Sequence, residues 1–119
     1  MIEIKRLGAQ GDCMFRRVAS LPKTAKEVKV NGRIVVAHSE TGHHHSIDVA
    51  LGVRHFEEPG DPLICYLMLD EGVSPDVVHH RSFDTHETLR LLGSPAGATV
   101  FEVRRAREYT PEGWRRVED

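Results

Sequence analysis

The feature of this sequence that most restricts its fold is a succession of short apolar runs, each closed by a turn signal. The signals recur about every ten residues, a spacing typical of small all-β domains. Residues 63–69 form an almost continuous apolar run, which predicts a strand buried on both faces, and residues 98–104 predict a second strand. We therefore expect an all-β, mainly antiparallel fold, either a small β-barrel or a sandwich, and the barrel is the preferred alternative.

The length and composition of the chain predict a soluble single domain. Its 119 residues suffice for one hydrophobic core and are too few for two, so we expect residues 1–119 to form one domain. With 39% hydrophobic and 29% charged residues, the composition excludes a disordered or membrane class. No apolar run approaches the roughly 20 residues that cross a bilayer, and the amino terminus resembles a strand rather than a signal peptide. These features indicate a cytoplasmic protein without a membrane partner.

Asn31 and Gly32 give the clearest local turn signal. Both residue types tolerate positive φ angles, so the β-branched runs on either side, residues 27–30 and 33–38, are expected to pair as a hairpin with a type I′ turn. The segment 74–92 fits either a helical turn at its start or strands, and strands are preferred because turn signals surround it.

The two cysteines, Cys13 and Cys65, lie far apart in apolar, strand-like surroundings. A disulfide and two buried thiols are both compatible with this pattern. Buried thiols are preferred because cytosolic proteins rarely keep disulfides.

Histidine is the unusual residue type, with eight copies in the chain. Seven of them fall in two groups, at positions 38, 43, 44 and 45 and at positions 79, 80 and 86, and His55 lies between the groups. If Thr41 and Gly42 form a two-residue hairpin loop, His38 lies opposite His45. Directly opposed residues share a face of the hairpin, and side chains alternate between faces. The face so formed carries Val36, His38, Glu40, His43, His45 and Ile47, with Val36 opposite Ile47.

Three imidazoles and a carboxylate on one face predict a site for a divalent metal ion such as Zn²⁺, Fe²⁺, Mn²⁺ or Ni²⁺. The expected ligands are His38, His43 and His45, with Glu40 or His86 completing the set. A merely solvated hairpin tip and a pH-sensitive patch are alternatives. The sequence contains no nucleophile elbow, Walker loop or dinucleotide fingerprint, so it names no reaction.

The carboxy-terminal region combines arginines with aromatic residues. Thr110 and Pro111 are typical of a helix N-cap and first helical position, which predicts a short helical turn near the C-terminus. A nucleic-acid surface in this region would use Arg104, Arg105, Arg107, Tyr109 and Trp114. Neighbouring acidic residues nearly cancel the local charge, and the net charge of -2 disfavours a nucleic-acid partner. A solvated last strand is therefore preferred.

Two resemblances extend this interpretation. The Pro-x-Gly motif at residues 95–97 and the His-x-His pair at 43–45 resemble cupin motifs and imply a cupin-like barrel. The chain departs from the cupin pattern at Val49 or Ala50, where cupins carry a glutamate, and at Val100, where they carry a histidine.

The second resemblance covers most of the chain. Four motifs resemble a family of small uncharacterised bacterial and phage proteins: Gln-Gly-Asp at 10–12, the histidine hairpin at 38–45, Asp-Thr-His-Glu at 84–87 and Arg-Glu-Tyr-Thr-Pro at 107–111. That family implies no activity. The sequence thus favours a metal-binding β-barrel protein. A non-catalytic interaction protein, phage-encoded or homo-oligomeric, and a nucleic-acid-binding module remain the alternatives.

Overall fold

The computed structural model describes residues 1–37, 44–80, 87–105, 107–110 and 113–116, and side chains are described as far as residue 105. Every regular element in these ranges is a β-strand. The strands are β1 (Ile2–Ile4), β2 (Leu7–Gln10), β3 (Cys13–Val18), β4 (Lys26–Val28), β5 (Ile34–Ala37), β6 (His45–Ile47), β7 (Val53–Glu57), β8 (Ile64–Leu69), β9 (Asp76–His79), β10 (Leu89–Leu91), β11 (Thr99–Arg105), β12 (Arg107–Thr110) and β13 (Gly113–Arg116). The prediction of an all-β fold is confirmed.

The strands form two main sheets and a terminal hairpin. The five-stranded sheet has the order β1-β10-β9-β6-β5, and the six-stranded sheet has the order β2-β3-β11-β8-β7-β4. Strands β12 and β13 pair with each other. Neighbouring strands are antiparallel except β1 and β10, which are parallel.

One hydrophobic core lies between the two main sheets. Phe15, Leu67 and Phe101 come from the six-stranded sheet, whereas Ile47 and Leu89 come from the five-stranded sheet, and all five are almost fully buried in a single cluster. Both sheets end in open edges within the described ranges, so the preferred barrel is not found and the layered alternative is closer. The same ranges contain no helix with the length and apolar character needed to cross a membrane.

The apolar runs that predicted individual strands were reliable guides. Strand β8 occupies the run at 63–69, and Cys65, Tyr66, Leu67 and Leu69 are buried in it. Strand β11 occupies the second predicted run.

The hairpin predicted around Asn31 and Gly32 does not form. Strand β4 pairs with β7 in the six-stranded sheet, whereas β5 pairs with β6 in the five-stranded sheet. Gly32 does take a positive φ of 76°, but the turn carries the chain from one sheet to the other, and the Gly32 carbonyl accepts a hydrogen bond from the Ala50 amide at 2.8 Å. Asn31 and Gly32 therefore determine where the chain bends. Strand β5 pairs with β6 and not with β4, because Ile34 is then buried in the core.

The helical turn predicted near the C-terminus is replaced by strands, whereas the preference for strands in the segment 74–92 is supported by β9 and β10. Strand β9 begins directly after Pro75, and Trp114 lies in β13, where it is paired with Tyr109 of β12. Thr110 pairs with Gly113, so only two residues separate the strands, too few for a helical turn. Proline is equally suited to a tight β-turn, which explains why the sequence pattern was ambiguous.

The fold brings polar side chains together at one end of the two sheets. In the five-stranded sheet, His45 pairs with Ala37 on one side and with His79 on the other. In the six-stranded sheet, Cys13 pairs with Arg105. The two strand ends meet in the interior, where Gln10 of β2 contacts His45 of β6 and Asp12, in the turn between β2 and β3, lies beside both His45 and Arg105 of β11.

Candidate metal centre

A cluster of polar side chains is enclosed at this end of the core, and we call it the polar cluster. Its members are Gln10, Asp12, Cys13, His45, His79 and Arg105. Each side chain is at most a few per cent exposed to solvent. Polar and charged groups are rarely buried to this degree unless they are paired with one another, so the contacts within the cluster carry structural and chemical information.

The turn between β2 and β3 positions three members of the polar cluster. Gln10 and Cys13 are paired, so Gly11 and Asp12 form a two-residue connection between the strands. Gly11 has a φ of 58°, a left-handed conformation that glycine adopts without steric cost. This tight turn returns the Asp12 side chain toward the interior, where it meets Arg105 from the end of β11.

Gln10 fixes the orientation of the His45 ring. Its amide nitrogen donates to the carbonyl oxygens of Val77 and Glu87, both at 3.0 Å. Since a carbonyl can only accept, the Gln10 nitrogen must face these groups and its Oε1 must face His45. The distance from Oε1 to His45 Nδ1 is 2.9 Å. Nδ1 must therefore carry the proton, and in the neutral ring the lone pair resides on Nε2.

Asp12 lies between Arg105 of the six-stranded sheet and His45 of the five-stranded sheet. Its Oδ2 accepts hydrogen bonds from Arg105 Nη2 at 2.8 Å and from Arg105 Nε at 3.1 Å. Its Oδ1 lies 3.5 Å from His45 Nε2. The guanidinium favours the ionised carboxylate, so a negatively charged oxygen faces the imidazole edge that Gln10 has left with a lone pair.

Asp12, Cys13 and His45 together form a potential ligand set. One oxygen, the sulfur and one ring nitrogen all lie within 4.8 Å of one another. Oxygen, sulfur and imidazole nitrogen are the donors found in zinc sites. Three such donors around one point could hold a divalent metal and leave a coordination position for another ligand.

His79 supports the His45 ring from the neighbouring strand. The two rings are stacked, with centroids 4.3 Å apart and planes inclined by 5°. The residues are also cross-strand partners, so the backbone register and the ring contact reinforce each other. The His45 ring is thus held by a hydrogen bond at its Nδ1 edge and by packing against its face.

Only one of the predicted ligands falls within the structurally described part of the chain. His45 is fully buried and faces the polar cluster. Its partner across the hairpin is Ala37 rather than His38, and Ile47 lies opposite Ile34 rather than Val36, because the register shifts between Val35 and Ala37. The predicted hairpin pairing is therefore wrong. The remaining predicted ligands, His38, Glu40, His43 and His86, lie outside the described residues.

Sequence reasoning missed Gln10, Asp12 and Cys13 as partners of His45. The Gln-Gly-Asp motif was visible, but at least 32 positions separate these residues from His45 along the chain, and only the tertiary fold joins them. A polar residue on each side of a tight turn, directly before an apolar strand, is the local signal that could have singled them out.

A second polar group lies at the surface, around Asp48. Ser46 Oγ donates to Asp48 Oδ1 at 2.7 Å, and His80 Nε2 lies 2.8 Å from the same hydroxyl. The Ser46 hydrogen bond is the main cause that lowers the pKa of Asp48, with further contributions from His80 and Arg33 against an opposing effect of burial. Since Ser46 gives its proton to the carboxylate, His80 is its donor and not its base, so this group lacks the arrangement of a nucleophilic triad.

The five residues predicted for a nucleic-acid surface differ in burial and in their partners. Arg105 is buried and bonded to Asp12. Arg104 is about half exposed, and its Nε donates to Glu102 at 3.2 Å. The side chains of Arg107, Tyr109 and Trp114 lie outside the described part of the structure.

Both cysteines are buried thiols, as the preferred interpretation predicted. The Cys65 thiol donates to the Val36 carbonyl at 3.5 Å. Burial, assisted by the negative charge of Glu57, raises the pKa of Cys65 to about 12. Cys65 is therefore a protonated, unreactive thiol at neutral pH, and it provides a natural control for Cys13.

Comparison with protein families gives a match over residues 9–106 to a model described as Domain of unknown function (DUF8820). The matched range contains the whole polar cluster, from Gln10 to Arg105. No curated protein and no solved structure matches the chain.

Proposed function

The chain belongs to this DUF8820 family, and from that premise we propose that the domain binds a divalent metal ion through Asp12, Cys13 and His45. The family description names no activity, so the proposal rests on the chemistry of the site. The ligand atoms lie within 4.8 Å of one another and come from both sheets. Metal binding at this point would therefore link the two layers of the fold.

The donor set favours a borderline or soft metal. A thiolate and an imidazole suit Zn²⁺, and they disfavour Mg²⁺ and Ca²⁺, which prefer oxygen ligands. Zinc sites with three protein ligands usually keep a fourth position for water or a substrate. We therefore expect Zn²⁺ as the preferred ion, with Fe²⁺, Mn²⁺ and Ni²⁺ as weaker candidates.

The observation that carries the proposal is the hydrogen bond from His45 Nδ1 to Gln10 Oε1. Metal-binding histidines almost always donate their other ring nitrogen to a hydrogen-bond acceptor, which fixes the tautomer and aims the lone pair. Gln10 fulfils this role, and its own orientation is imposed by the carbonyls of Val77 and Glu87. The lone pair of His45 Nε2 is thus on the ring edge that lies 3.5 Å from Asp12 Oδ1.

Arg105 makes the carboxylate of Asp12 suitable for one-oxygen coordination. Arg105 Nε and Nη2 both donate to Oδ2, whereas Oδ1 is the oxygen that lies 3.5 Å from His45 Nε2. A metal bound at Oδ1 would share the carboxylate with the guanidinium, as ligating carboxylates commonly do with hydrogen-bond donors. Arg105 lowers the net negative charge of the site and so should moderate its affinity for cations.

The ligands predicted from the histidine pattern remain part of the proposal in a secondary role. His38, Glu40 and His43 belong to the segment between β5 and β6, and His86 belongs to the segment between β9 and β10. Both segments begin and end at strand residues next to the polar cluster. Any of these side chains could supply a fourth ligand.

The direct test is elemental analysis of protein purified without an affinity tag or nickel column, followed by titration with Zn²⁺ and Co²⁺. We expect about one equivalent of metal per chain. Cobalt should give a near-ultraviolet charge-transfer band from sulfur, because the thiolate of Cys13 would be a ligand. The Cys13→Ser variant should lose this band, and the His45→Gln variant should lose most of the affinity.

Matched controls come from residues of the same types outside the polar cluster. Cys65→Ser and His55→Gln should retain stoichiometric metal and the cobalt spectrum. A folded protein that stays metal-free under these conditions would show that the polar cluster is a structural network only. Loss of metal in His43→Ala but not in Cys13→Ser would place the centre on the histidine hairpin instead.

A further inference from the structure

A cleft of about 530 Å³ opens beside β5, between this strand and the turn that follows β7. Its volume lies within the range of small-molecule sites, about 300–1,000 Å³. Val35, Val36, Ala37, Ile64 and Cys65 provide an apolar lining. The inner end of the cleft reaches Arg105, so it approaches the polar cluster without being part of it.

The cleft exists because the two sheets differ in width. The Cys65 thiol contacts the Val36 carbonyl, which places β8 against β5, the last strand of the five-stranded sheet. Strand β7 is the next strand beyond β8, where the five-stranded sheet has no further strand to cover it. The inner face of β7 is therefore left to line the cleft.

The backbone register shows that the inner face becomes polar at this point. Val103 pairs with Cys65, which pairs with Glu57, so all three side chains share a face. In the next row, Leu67 pairs with His55. Core residues of β11 and β8 thus continue into Glu57 and His55 on β7, both of which line the cleft.

Three carboxylates line the cleft, those of Glu57, Glu58 and Asp61. Glu58 accepts a hydrogen bond from Thr24 Oγ1 at 2.9 Å, and Asp61 Oδ1 accepts one from the Leu63 amide at 3.0 Å, whereas Glu57 shares the inner face with Cys65. Within the described residues, neither Glu57 nor Glu58 forms an ion pair with lysine or arginine, although Lys26 stands opposite Glu57 across β4 and β7.

Glu57 acts on a residue that lines the cleft. After burial, it is the next cause that raises the pKa of Cys65.

We propose that this cleft binds a small organic cation, an ammonium group on a hydrocarbon stem. The stem packs on Val36 and Ile64, and the ammonium group lies at the carboxylate of Glu57. Charge complementarity selects the cation, and the apolar lining selects a stem of several carbons over an inorganic ion. This site is separate from the metal centre, and its occupancy does not require a metal.

The test is a two-dimensional NMR titration of metal-free protein with hexylammonium, hexanol and hexanoate, which share a six-carbon stem. Hexylammonium should shift the amide signals of residues 35–37, 55–58 and 64–65 in a saturable manner. Hexanol should bind several-fold more weakly, and hexanoate should bind least. Equal binding of hexylammonium and hexanoate, or shifts that do not saturate, would overturn the proposal.

Three substitutions sharpen the test. Glu57→Gln should weaken hexylammonium binding about fivefold, the effect of roughly 1 kcal/mol for a partly exposed charge pair. Glu71→Gln changes the net charge equally at the opposite end of β8 and should have no effect. Lys26→Gln removes a competing internal cation and should strengthen binding. The same affinity in the Glu57→Gln and Glu71→Gln variants would refute a role for the cleft carboxylates.

Discussion

Gln10 shows how a single residue can determine the chemistry of a distant ring. Its amide nitrogen donates two hydrogen bonds and its oxygen accepts one, and Gln10 is 1% exposed. Only asparagine has the same planar carboxamide group, and asparagine is one carbon shorter. Gln10 is therefore a positioning residue for His45 as well as a structural link between β2 and the five-stranded sheet.

The Gln10→Leu substitution tests both roles. It preserves approximate volume but leaves two buried carbonyls and one ring nitrogen without their partner, so we expect unfolding to become easier by about 2–4 kcal/mol. Metal affinity should fall about 10- to 100-fold, as for other residues that orient a ligand. Denaturant unfolding and ¹⁵N NMR of the His45 ring would measure the two effects separately.

The control for this prediction is an exposed apolar residue. Leu51 is 86% exposed, and Leu51→Ala should change neither quantity appreciably. If Gln10→Leu left the protonation of Nδ1 unchanged, the positioning role would be refuted even though stability had fallen.

At the level of elements, the crossing from β4 to β5 is the point where local pattern and tertiary fold disagree. Asn31 and Gly32 correctly indicate a turn with a positive φ angle. They do not specify whether the flanking strands pair with each other, because that choice depends on which faces can be buried. Ile34 reaches the core only when β5 joins the five-stranded sheet, and β4 then pairs with β7.

The glycine at position 32 stabilises the fold, and its contribution to the free energy of unfolding can be measured. Its φ is 76°, and a Cβ atom built there would have no neighbour within 4 Å, so the cost of a side chain would arise from backbone strain alone. We expect Gly32→Ala to destabilise the fold by about 1 kcal/mol. Gly97 also has open space around it, but without a positive φ angle, so Gly97→Ala should be neutral. Equal unfolding midpoints for the two variants would contradict this account.

The same contrast explains what the sequence could and could not predict. Strands β8 and β11 follow from local apolar runs, because burial of an apolar face is a local requirement. The sheet order and the bulge between Val35 and Ala37 depend on contacts between distant segments. Because the hairpin register shifts there, His45 pairs with Ala37 and not with His38. The predicted pairing across this hairpin is therefore wrong.

For the candidate site, one residue of the ligand set predicted from the sequence, His45, belongs to the polar cluster. His45 was singled out because histidines are concentrated around it, which is a compositional signal. Asp12 and Cys13 carry no such signal, since single aspartates and cysteines are common. Their proximity to His45 results from the packing of the two sheets, a property of the whole fold.

At the scale of the whole molecule, the proposed metal would link the two sheets, like a clamp, because its ligands come from both. Asp12 and Cys13 belong to the β2–β3 hairpin of the six-stranded sheet, whereas His45 belongs to β6 of the five-stranded sheet. The unfolded chain holds these groups far apart, because 32 positions separate Cys13 from His45. Metal should therefore bind the folded state preferentially and stabilise it.

The expected stabilisation can be measured by thermal unfolding. With free Zn²⁺ at about 100 times its dissociation constant, linkage adds about 2.7 kcal/mol, which for a chain of this size raises Tm by about 10 °C. Cys13→Ser should abolish this increase, and Cys65→Ser should preserve it, because only Cys13 belongs to the ligand set. An equal rise of Tm in both variants would mean that zinc binds elsewhere, and a rise lost only in His38→Ala or His43→Ala would assign the clamp to the hairpin. The thermal shift therefore distinguishes a metal that joins the two sheets from one that binds to a single segment.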